Sequence, residues 1–170
     1  MDRYQKFIQE KAKKKRKFLG TMFFPRTPVL VLDFSEAPKT ALSEDFVAGL
    51  EAIGLTTLVV SPECERKVSP KNAHIHFVEP KEKADAYQAA DLAVVMNGDI
   101  ASVLKNGCVP ISKLDGATTT DYNPLQEKGN GFYFKNPTKW EMFAAIVRAL
   151  ETYQFPYDWE NLIREIIGKD

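Results

Sequence analysis

The chain has 170 residues, 44% of them hydrophobic and 27% charged, a length and balance that suit one soluble domain with its own core. No apolar run approaches the ~20 residues a membrane helix needs. The two cysteines, Cys64 and Cys108, lack metal-ligand spacing, which excludes a disulfide framework and fits a reducing cytoplasm. Formal net charge is zero, but nine of the 23 basic residues and only two of the 23 acids lie in residues 1–26. The rest therefore carries 14 basic against 21 acidic residues, a net of −7.

The first element is a helix over residues 4–19, with Tyr4, Phe7 and Ile8 as a short apolar stripe. It contains "KAKKKRK" (Lys11–Lys17), six basic residues in seven. The following "FLGTMFF" mimics a signal peptide. It is too short, is broken by Gly20 and Thr21 and stops at Pro25, so no signal peptide is expected. "VLVLDF" (Val29–Phe34) is a continuous apolar run, the mark of a strand covered on both faces. Ser43 is placed to cap a helix over "EDFVAGLEAI", and Gly54 to stop it. "TTLVV" (Thr56–Val60) and "AHIHFV" (Ala73–Val78) are the second and third strands, and Pro80 opens a helix reaching Ala90. "LAVVM" (Leu92–Met96) is a fourth strand, and Asp99–Gly107 a short helix. Val109–Ile111 and Gly131–Phe134 are brief strands. A helix from Asn136 and Pro137 shows the stripe Trp140, Phe143, Val147 and Leu150, reinforced by Ile146. A last helix after Pro156 carries Trp159, Leu162, Ile163 and Ile166 on one face.

Strands alternating with helices predict an α/β fold. The expected architecture is a Rossmann-like, mostly parallel sheet of five to six strands flanked by helices, with right-handed crossovers. The expected organisation is a basic helical arm over residues 1–26 and a Rossmann-like domain over 27–170.

The order "AYQAADLAVVMN", "LKNGCVPI", "DYNPL" and "GNGFYF" before a long helix resembles the C-terminal domain of bacterial glycogen synthases and plant starch synthases. These are retaining glycosyltransferases of GT-B architecture. The similarity runs over roughly residues 28–168 and is strongest over 86–153. It implies a domain that in the full enzymes binds ADP-glucose or UDP-glucose, with a second domain supplying the acceptor side of the cleft.

Retaining transfer needs cations or helix N-termini on the departing diphosphate, and carboxylates that grip the sugar. The family's Arg after the first strand is matched here by Asp33, and Lys39 stands where the family has a Lys. The family's E-P-x-G-L loop and second Glu have no counterpart. The chain passes from Asn97 and Gly98 through Asp99 directly into a helix, and Asp99 reads as its cap. The family's Gly-Gly loop is reduced to Asp115-Gly116, where Gly116 either brings backbone N–H groups to an anion or simply makes a tight turn. Thr118, Thr119 and Thr120 follow and can hydrogen-bond a sugar or line an extended connection. The candidate ligand-binding set is thus Lys39, Asn97, Gly98, Asp115, Gly116 and Thr118. No catalytic residue, no metal ligand and no cofactor are assigned.

Other signals are weaker. His74 and His76 alternate along a strand and share one face, without a third metal ligand. Cys64 has no histidine partner to activate it, and Cys108 reads as core. The lysine run reads as a solvated helix face, or as a surface that docks on acid; the acidic body of a second copy would supply one. It lacks the interleaved aromatics of a nucleic-acid platform, and neither nucleic acid nor a membrane is expected as a partner.

Three functions follow. The first is a non-catalytic remnant of the nucleotide-sugar domain, acting as a binding or assembly module, with another copy of itself as one candidate partner. The second is half of a split glycosyltransferase using ADP- or UDP-glucose, completed by a separate acceptor-domain chain. The third is a small-ligand binder with a pocket near Asp33, Ser35, Ser61, Asn97, Gly98 and Asp115, at the carboxyl ends of the strands. The expectation followed here is the first.

Overall fold

The computed structural model describes residues 2–20, 27–35, 43–60, 74–96 and 100–168. Six strands form one all-parallel sheet: β1 (Val29–Asp33), β2 (Thr56–Val60), β3 (Ile75–Val78), β4 (Leu92–Val95), β5 (Val109–Lys113) and β6 (Phe132–Phe134). Their spatial order is β3-β2-β1-β4-β5-β6. This is the doubly wound arrangement, in which strand order reverses between β1 and β4 and opens a crevice at the carboxyl ends. The expected Rossmann-like α/β class is therefore correct.

The central strands are continuous apolar runs because helices cover both of their faces. β1, β2 and β4 are buried at every position. Side chains alternate along a strand, so β1 is divided between two cores. Leu30 and Leu32 join α2 (Glu44–Ile53), α5 (Lys139–Gln154) and α6 (Pro156–Ile167) on one face. Val29 and Val31 join α3 (Lys83–Ala89) and α4 (Ile100–Lys105) on the other. Asp33 continues this second row and is aimed at α3.

The helix boundaries follow local chemistry. Ser43 caps α2 through the Phe46 N–H, and Gly54 ends it in a left-handed turn. Pro80 opens a 3-10 turn that leads into α3. α5 starts at Lys139, later than the Asn136-Pro137 signal indicates, because the Thr138 hydroxyl takes the Glu141 N–H. Glu141 then reaches back to the N–H groups of Lys135 and Asn136, a reciprocal cap.

The predicted stripe of α5 is displaced around the helix. Met142, Ala145, Ile146 and Ala149 are its buried residues, whereas Trp140 is 71% and Val147 44% exposed. The two alanines allow the helix to lie close on the sheet, so the small side chains define the inner face and the large ones its margin. Phe143 and Leu150 remain half-buried against the core. On α6, Trp159, Leu162 and Ile163 are buried as expected.

The N-terminal helix α1 (Arg3–Leu19) is not a freely solvated basic face. Phe7, Lys11, Lys15 and Leu19 are four apart and form one row. Lys11, Lys15 and Leu19 are buried. Lys11 donates to the Gly107 carbonyl at 2.7 Å, and Lys15 to both oxygens of Asp91 at 2.6 and 2.5 Å. Asp91 also accepts the Val29 N–H at 2.8 Å. The acid that meets Lys15 is therefore this chain's own, at the amino ends of β1 and β4. Lys13, Lys14, Arg16 and Lys17 stay exposed.

Candidate functional site

The carboxyl ends of the strands are where an open α/β sheet binds ligands. Asp33 closes β1 there and is 4% exposed. Its carboxylate accepts a charged hydrogen bond from Lys83, 2.6 Å away. It also accepts the Tyr87 hydroxyl, the Ser35 hydroxyl at 2.6 Å and the Ser35 N–H at 3.1 Å. Lys83 and Tyr87 lie one turn apart on α3, so a single helix face delivers both donors. Lys83 further contacts the Ser35 hydroxyl at 3.2 Å. Burial raises the Asp33 pKa, but the hydrogen bonds from Lys83, Ser35 and Tyr87 outweigh it and hold the carboxyl below its ordinary 3.8.

This network changes the sequence-level picture of Asp33. The acid does not face the crevice as an unpaired negative charge. It is neutralised from α3, and in the process it engages the cation nearest to it. Sequence reading missed Lys83 and Tyr87, because their partner is distant in the chain. The available signal was their spacing of four on a helix following a strand that ends in a buried acid.

The second part of the site is the turn after β5. Asp115 accepts the N–H groups of Ala117, Thr118 and Thr119 at 3.0, 3.1 and 3.2 Å, and the hydroxyls of Thr118 and Thr119 at 2.7 and 2.8 Å. The Thr119 hydroxyl oxygen accepts the N–H groups of Asp115 and Gly116. Gly116 has φ +72°, a conformation that favours glycine. The loop forms a tight turn held by its own hydrogen bonds. Its amides point at an anion, but that anion is the loop's own carboxylate. The Thr118 and Thr119 hydroxyls, then the Ala117 N–H, hold Asp115 far below the usual carboxylate range.

β1 and β5 are separated by β4 alone, so their carboxyl ends bring Asp33 and the turn that holds Asp115 to one rim. Asp115, Gly116 and Thr118 lie together in the turn. Lys39, Asn97 and Gly98 lie outside the described residues, as do Ser61, Cys64 and Asp99.

"DYNPL" has a structural role. Asp121 accepts the Tyr133 N–H at 2.8 Å and pairs with Arg148 at 2.7 Å. Arg148 also donates to the Tyr133 carbonyl. Strand β6 and helix α5 are tied together through this acid. Tyr122 is buried and donates to the Asp158 carbonyl at 3.0 Å.

His74 precedes β3 and His76 lies within it, half-buried. Among the described residues no group of three His, Cys, Asp or Glu is placed to hold a metal. Cys108 is buried, and burial pushes its thiol up to about 12 against the opposing pull of Lys11. It is a core residue, not a nucleophile. No described helix is long and apolar enough to cross a membrane.

Comparison with known proteins agrees with this architecture. No family model matches the chain. It is 33% identical over 70 residues to glycogen synthase 1 of Synechocystis sp., a match covering 39% of this chain and 15% of that enzyme. To the glycogen synthase of Clostridium beijerinckii it is 37% identical over 70 residues, with the same coverage. The catalytic domain of starch synthase IV from Arabidopsis thaliana, solved with ADP and acarbose, superposes with a TM-score of 0.70 at 16% identity. That superposition covers 94% of this chain and 39% of that one. Over those 70 residues the chain is similar to glycogen synthases, and its Rossmann-like fold is shared with part of the starch synthase IV catalytic domain. It matches only a small part of the length of its curated relatives.

Proposed function

We propose that this chain is a non-catalytic member of the glycogen/starch synthase-like domains, kept as a binding or assembly module. The observation that carries this reading is the buried Asp33–Lys83 pair. A nucleotide-sugar transferase must stabilise a leaving diphosphate with preorganised positive charge. Here the end of β1 holds an acid in the family's arginine position, and a neighbouring ammonium is spent on that acid. An acid cannot replace the bidentate guanidinium of such a clamp. The turn after β5 supports the same reading, since its amides are satisfied from within. The buried thiol of Cys108 is consistent with a reducing compartment such as the cytoplasm.

The test is a glucose-transfer assay with the purified full chain, an α-1,4-glucan primer and ADP-glucose or UDP-glucose. No transfer above the protein-free rate is expected, and sustained turnover would refute the proposal. A second reading is favoured by one observation: the chain superposes on 39% of the starch synthase catalytic domain. In that reading a separate acceptor-domain chain completes the enzyme. It requires this chain to bind the nucleotide, which calorimetry with ADP measures directly.

A further inference from the structure

At the amino ends of the strands, opposite the rim that holds Asp33, a cleft of about 440 Å³ opens between α1, α4 and α6. Its size falls in the range of small-molecule sites. Its floor is apolar, built from Phe7, Leu104, Ile166 and Ile167, each partly buried. Phe7 is fixed by a close approach. Its ring lies against Gly107, where a Cβ would meet it at 2.2 Å. Gly107 also has φ +63°, so a side chain there is excluded on two counts.

The walls are cationic. Arg3 and Lys6 come from α1, and Lys105 from the last turn of α4. All three are exposed, and none forms an ion pair with the described residues. Lys15, Lys83, Lys139, Arg148 and Arg164 each hold a carboxylate. Among the described residues Glu10 is the one acid in the lining, against three cations. Lys11 occupies the Gly107 and Asn106 carbonyls next to it, which keeps those acceptors from repelling an anion.

Cations without an ion-pair partner among the described residues, set beside an apolar floor, define a ligand with two ends. We infer that this cleft binds a small amphiphilic anion, with a carboxylate or phosphate head held by Arg3, Lys6 and Lys105 and an alkyl or aromatic body laid on Phe7, Leu104, Ile166 and Ile167. Guanidinium and ammonium groups recognise such heads by charge-assisted hydrogen bonds. A recess of about 440 Å³ between three helices has the size of a site for one small molecule rather than of a bilayer contact. The inference concerns the opposite end of the sheet from the nucleotide-sugar rim and does not depend on the proposed function.

The test is calorimetric titration of the full chain with octyl phosphate below its aggregation concentration, with octanol, and with inorganic phosphate. Octyl phosphate is expected to saturate one site per chain, at least tenfold more tightly than either octanol or phosphate. Lys105→Glu is expected to weaken it at least tenfold. Lys17→Glu makes the same charge change on α1 outside the cleft and is expected to leave affinity within twofold, with circular dichroism confirming that both variants fold. Absence of saturable octyl phosphate binding overturns the inference, as does equal weakening by the two variants. Capture by anionic phosphatidylglycerol vesicles without octyl phosphate binding also overturns it, by making the surface a membrane contact.

Discussion

The ammonium of Lys83 lies 2.6 Å from the carboxylate of Asp33, which is buried at the carboxyl end of the central strand. The pair joins α3 to β1 at the carboxyl end of the sheet, the end at which open α/β folds bind ligands.

Breaking the pair is costly. Removing one partner of a fully buried ion pair costs about 3–5 kcal/mol. Lys83 retains 30% exposure of its side chain, and Tyr87 and Ser35 remain bonded to the acid. Lys83→Met is therefore expected to lose about 2–3 kcal/mol, measured by urea unfolding. Combining it with Asp33→Asn is expected to cost less than the sum of the two changes, because neither variant then leaves an unmatched buried charge.

The same network sets an acid response. The folded-state pKa of Asp33 is lowered below its ordinary 3.8. Its stabilisation is therefore fully present above the unfolded-state value and is lost as pH falls through the folded one. The unfolding free energy is expected to decline below about pH 4, and Asp33→Asn to flatten that decline. Equal slopes in the two proteins would show that Asp33 does not carry the effect.

Much of the fold is legible in the sequence, because the continuous apolar runs of β1, β2 and β4 have no other stable home than a sheet covered on both faces. The caps at Ser43 and Gly54 are equally local. The face of α5 is less legible. A stripe drawn through the largest apolar residues selects Trp140 and Val147, whereas close packing on the sheet selects Ala145 and Ala149. The candidate site is the least legible part. Asp33 can be read as an unsuitable charge from its position alone, but Tyr87, 54 residues away, and Lys83 become its partners only when α3 folds over β1. Lys11 and Lys15 are hidden in a run that composition marks as solvent-facing. Their spacing from Phe7 and Leu19 is the clue to the buried row.

That row makes a further prediction. Lys15 and Asp91 are about equally buried, with side chains 10% and 9% exposed. Lys15→Met is expected to destabilise the protein by about 3–5 kcal/mol, and adding Asp91→Asn to recover part of the loss. Lys14→Met, one position away on the exposed face, is expected to change stability by less than about 0.5 kcal/mol. Thermal unfolding of the three variants checks the contrast.

The thiol of Cys108 offers a probe of the core. It is buried and its pKa is pushed up to about 12, so it stays protonated at neutral pH and is shielded from reagent. In a Cys64→Ser background, a disulfide reagent at pH 8 is expected to label no thiol in the folded chain and one after denaturation. Rapid labelling under native conditions would contradict the packing of α1 and α4 around it.

The most direct measurement is calorimetric titration of the intact chain with ADP and with ADP-glucose, carried to millimolar concentration. If the end of β1 has turned its charge inward, neither compound evolves binding heat. Saturable binding of ADP, lost on mutation at the turn formed by Asp115, Gly116 and Thr118, would contradict that account and restore this rim as a nucleotide site.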